Sequence, residues 1–130
     1  MSQITLFPSV AALIAVVASL YLGAKSERVK KNVWVVPAFF AFVFLLLSLQ
    51  AMLTEGPTGF WTEHVRNLWG NQIWYDLLLA TVAALAFSLP QAKALGMRVV
   101  PWIIFTLVTG SIGLYSFIAR LLYLRAKNNL

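Results

Sequence analysis

Residues 32–54 read NVWVVPAFFAFVFLLLSLQAMLT, a run without one charged side chain. A helix rises 1.5 Å per residue, so roughly 20 such residues cross a hydrocarbon core about 30 Å thick. A helix that is apolar on every side has no wet face to offer, which suits lipid as the solvent. The same reading extends outward along the chain. Residues 1–24 carry no charge, nor do residues 77–92 (with 73–75 just before them) or 99–119. The sequence therefore predicts an all-α fold, an integral membrane bundle of four antiparallel transmembrane helices over about 5–23, 33–53, 73–89 and 99–123. One interfacial amphipathic helix is expected over about 60–69, where Phe60, Trp61, Val65, Leu68 and Trp69 share a face.

Composition agrees. Only 11% of the 130 residues are charged, against about a quarter in a soluble domain. Mean hydropathy is +0.82. Four spans use up most of the chain, so 1–130 reads as a single membrane domain. With no cysteine, disulfides, thiolate metal sites, Fe–S clusters and thiol catalysis are excluded. The net charge of +6 does not imply nucleic acid, because the basic residues stand at the ends of the apolar runs, where headgroups and topology account for them. No Lys or Arg precedes Lys25, unlike the basic start of a secretory signal, so the first span is expected to be retained.

Punctuation marks the helix ends. Pro8 is placed in the first turn of helix 1, where a missing N–H costs nothing, and Pro90 is expected to end or kink helix 3. Pro37 and Pro101 each follow a Val-Val pair after a basic turn, a faint internal echo. Residues 24–32 hold Lys25, Arg28, Lys30 and Lys31, and the turn after helix 3 holds Lys93 and Arg98. Four full spans would put Arg66, Arg120, Arg125 and Lys127 on the other side. Six cations against four then places both termini outside, on the face away from the cytoplasm.

Ionisable groups inside spans are costly, so their positions suggest where function sits. Asp76 near the start of helix 3, Arg120 near the end of helix 4 and Gln50 near the end of helix 2 would reach one rim of an antiparallel bundle. The simplest role for Asp76 and Arg120 is an ion pair that fixes a seam of small residues, Ala80, Ala83 and Ala84 against Thr106, Gly110 and Gly113. His64, Arg66 and Asn71 could fold over that rim, giving a ligand-binding set of Gln50, His64, Arg66, Asn71, Asp76 and Arg120. His64 is the one histidine, an interface residue by position. Glu55, Glu63 and Asp76 are too scattered for a metal site, no phosphate-binding or zinc-protease motif occurs, and no catalytic residue or cofactor is indicated.

The segments Asn71-Gln72-Ile73-Trp74-Tyr75-Asp76-Leu77, Ala94-Leu95-Gly96-Met97 and Leu121-Leu122-Tyr123-Leu124-Arg125 together resemble a family of small bacterial inner-membrane proteins of unknown function. The likeness covers the C-terminal half. It implies a compact helical membrane protein from a bacterium and no activity or site residue.

Three functions fit these readings. The first is an accessory subunit or scaffold, with the bilayer and other membrane subunits or further copies of the chain as partners and no nucleic acid. The second is a binding protein or enzyme for a quinone, carotenoid or other isoprenoid at the Gln50/Asp76/Arg120 end. The third is a small transporter.

Overall fold

The computed structural model describes residues 3–24 and 31–129. The basic residues Lys25, Arg28 and Lys30 lie outside them. The fold is all-helical: α1 (Gln3–Ala24), α2 (Val35–Glu55), α3 (Gly59–His64), α4 (Leu68–Ala94), α5 (Val99–Thr109) and α6 (Ser111–Lys127). Three of these, α1, α2 and α4, are long and apolar enough to cross a membrane.

The helix expected over 99–123 is two helices. Gly110 takes φ +66° and ψ −125°, a conformation open in practice to glycine alone, and the chain reverses there. The Trp102 and Phe117 rings lie 5.9 Å apart, where 15 residues of continuous helix would separate them by about 22 Å. Thr109 ties the corner, its hydroxyl donating to the Phe105 carbonyl at 2.8 Å and accepting from the Gly113 N–H at 2.8 Å. The helices meet so closely at Gly113 that a Cβ there would stand 2.6 Å from Thr106 Cα.

This hairpin sets the rest. α6 is central and packs chiefly on α2 and α5. Trp34 meets Tyr123 edge-on at 5.7 Å and Phe40 meets Tyr115 at 6.1 Å, so α2 and α6 run antiparallel. Pro37, Ala41 and Ala119 are buried, small groups that let helices approach. Arg125 donates to Gln91 Oε1 at 3.3 Å, which sets the last turns of α4 and α6 side by side. One core cluster, Leu85, Ala92, Phe117 and Leu121, lies near this end, with Trp102, Val99 and Met97 against it. In α1 every described side chain from Ile4 to Tyr21 is exposed.

The remaining boundaries move for local reasons. α4 is longer at both ends than the expected 73–89. Asn67 caps it, Oδ1 accepting from the Gly70 N–H at 2.8 Å, which draws Leu68 and Trp69 out of the interfacial segment and into α4. It runs through Pro90 and stops at a glycine motif, with Gly96 at φ +74°, the Met97 N–H on Ala92 O and the Gly96 N–H on Lys93 O, each at 3.0 Å. The interfacial helix shrinks to the six residues of α3. Pro8 falls at the sixth residue of α1 rather than in its first turn.

Thr106 is 1% exposed and its hydroxyl has no hydrogen-bond partner. An unpaired buried hydroxyl costs about 1–3 kcal/mol, and a methyl of nearly the same size does not. Thr106→Val is expected to stabilise the protein by about 1 kcal/mol, read as a raised unfolding midpoint in detergent.

Candidate functional site

The six residues expected to share one rim fall into four places. Asn71 and His64 come together at the α3–α4 corner, where Asn71 Nδ2 donates to the His64 carbonyl at 2.8 Å. The His64 ring packs against Trp74 at 4.9 Å, tilted by 38°, and Phe60 and Trp61 flank Trp74 at 6.5 and 6.2 Å. Arg66 turns instead to Glu63, Nη1 to Oε2 at 3.1 Å, an exposed pair one helical turn apart. The Asn71 amide and the Arg66–Glu63 pair of this corner are thus engaged with the backbone and with each other.

Asp76 stands further along α4 on an exposed polar face with Asn71, Gln72 and Tyr75. It makes no ion pair, and Arg66–Glu63 is the one salt bridge among the described residues. Gln50 is exposed near the end of α2.

Arg120 lies elsewhere. Because α6 comes back rather than crossing, Arg120 faces the first turns of α2, not its last. It lines a groove of about 570 Å³ between α2 and α6, with Trp34, Ala38, Leu45, Phe105, Ser116 and Tyr123. Its guanidinium sits over the Tyr123 ring at 5.6 Å, a cation–π contact, and no carboxylate pairs with it. The expected Asp76–Arg120 pair is therefore not formed, and the Gln50/Asp76/Arg120 rim does not assemble. Only the glycines could have warned of this: Thr109-Gly110-Ser111 carries turn chemistry, but inside an uncharged run it passes equally well as a stretch of close packing.

Among the described residues, no three His, Asp or Glu side chains gather where they could hold a metal ion. No protein-family model, curated protein or solved structure matches the chain.

Proposed function

We propose that this protein is an accessory subunit of a membrane assembly. In this reading α1, α2 and α4 cross the bilayer, and α5–α6 enters from one face and returns to it. At 11 residues α5 is about 16 Å long, half the hydrocarbon thickness. The hairpin therefore fills one leaflet only. In the other, the second half of α2 and the first half of α4 share no packed interface.

The observation that carries the reading is Asp76: an unpaired carboxylate, with Gln72 beside it, on the bare face of that half of α4. Intramembrane carboxylates face protein or water, not lipid. A partner helix offering a donor or a cation supplies what this chain leaves out. Surface area agrees: the chain exposes 10182 Å², against about 6,900 Å² for a compact soluble protein of its mass.

Charge orients the chain in this scheme. Lys31, Lys93, Arg98, Arg120, Arg125 and Lys127 belong to the end of the bundle where α5–α6 opens, and Lys25, Arg28 and Lys30 precede Lys31 in the sequence. Among the described residues, Arg66 alone of the seven Lys and Arg belongs to the opposite end, with Glu55, Glu63 and Asp76. Six described cations against one, rather than six against four over the whole chain, sets the hairpin face toward the cytoplasm of a bacterial inner membrane in this reading. The C-terminus is then cytoplasmic, and α1 starts from the periplasm.

Two measurements test this. The chain has no cysteine, so single cysteines report side unambiguously. Lys93→Cys and Asn129→Cys are expected to be shielded from an impermeant thiol reagent in intact cells, and Thr58→Cys to react. Reaction at Asn129 alone of the first two would restore a crossing fourth span. For the subunit role, mild-detergent extraction from the native membrane is expected to yield one stoichiometric membrane partner, released by Asp76→Leu with the helical content and unfolding midpoint of the chain unchanged. A chain that migrates alone before and after the substitution would rule the role out.

A further inference from the structure

The α2–α6 groove is a separate feature from the Asp76 face, and it carries a different inference. We propose that it binds one anionic phospholipid of the cytoplasmic leaflet, the phosphate on Arg120 and one acyl chain along the groove. The inference rests on the membrane reading but needs no partner protein.

Three observations support this occupant. The first is charge: Arg120 is exposed, with an aromatic ring but no carboxylate beside it, and it is the one charged group lining a largely apolar channel. An arginine left without an acid is matched by phosphate, which takes its planar donors two at a time. The second is length: the groove extends along α2 from Trp34 to Leu45, about 16 Å, and one leaflet of the hydrocarbon core is about 15 Å deep. The third is the mouth: Trp34 and Tyr123 meet edge-on at 5.7 Å at the end where Arg120 lies, the amphipathic rings that settle at headgroup level. Below them Ala38 and Ser116 keep the channel open by being small.

Native mass spectrometry of the full chain in mild detergent, titrated with phosphatidylglycerol or phosphatidylcholine, tests the site. Phosphatidylglycerol is expected to form a one-to-one adduct, and phosphatidylcholine to bind roughly tenfold more weakly or not at all. Arg120→Gln, at an exposed position, is expected to weaken the phosphatidylglycerol adduct roughly tenfold. Lys127→Gln, the same change in net charge outside the groove, should leave it intact. Ala38→Phe fills the channel and should abolish the adduct without altering helical content. Inorganic phosphate in excess should not displace the lipid. Equal binding of the two lipids overturns the proposal. So does an equal loss in Lys127→Gln and Arg120→Gln, undiminished binding in Ala38→Phe, or displacement by inorganic phosphate.

Discussion

Gly113→Ala is expected to destabilise the protein by about 2–3 kcal/mol, although alanine is the better helix former by roughly 1 kcal/mol. The sign is decided by what the new methyl meets. At Gly113 it would stand 2.6 Å from Thr106 Cα and 2.7 Å from both the carbonyl carbon and oxygen of Phe105. All three are backbone atoms of α5, so no side chain can swing aside, and relief requires the hairpin to open. Opening pulls Trp102 away from Phe117, which is fully buried in the core cluster with Leu85, Ala92 and Leu121. A detergent denaturation midpoint followed by circular dichroism reads the loss. Gly110→Ala is expected to fall in the same direction for another reason, the strain of placing a side chain at φ +66° and ψ −125°. Because both changes act on one hairpin, the double variant should lose less than the sum of the two. If Gly113→Ala raises the midpoint, α5 and α6 are not in the contact described here.

The hairpin also marks the limit of what the sequence could say. Helices long and apolar enough to cross a membrane were legible from the uncharged runs, and α1, α2 and α4 stand where three of those runs are. Length and apolarity can be read locally because each side chain contributes to them alone. Reversal of the chain at Gly110 cannot be read that way. Residues 99–119 hold enough apolar length for one crossing or for a half-depth hairpin, and Gly110 and Gly113 serve a close-packed seam as readily as a corner. The choice between them depends on contacts made elsewhere, Tyr115 and Tyr123 on α2 and Arg125 on Gln91. Direction followed from that choice. With α6 returning, Arg120 left the company of Asp76 for the opposite end of the fold, and the expected rim of Gln50, Asp76 and Arg120 divided in two. Asn71 and His64 do lie side by side, because the two residues are seven apart on one corner.

The same logic of a glycine against backbone makes the α3–α4 corner the second sensitive point. At Gly70 a Cβ would collide with the Glu63 carbonyl oxygen and stand 2.9 Å from that of His64, so the end of α3 lies directly on the first turn of α4. Gly70 is buried, and its N–H satisfies the Asn67 cap. Gly70→Ala is expected to cost about 2 kcal/mol, from overpacking and from a strained or broken cap. Lifting α3 also removes the Asn71–His64 hydrogen bond and slides Trp74 out from between Phe60, Trp61 and His64. A red shift of tryptophan emission should therefore accompany the lower midpoint. Gly59→Ala is the control: its new methyl would meet only the Glu55 side chain, at an ordinary 3.4 Å, and the midpoint should hold within about 0.5 kcal/mol. Asp76 stands along the same helix, on the face that the proposed assembly would cover. Gly70→Ala is accordingly expected to loosen partner retention that Gly59→Ala leaves intact, and equal retention by the two variants would separate the corner from the docking face.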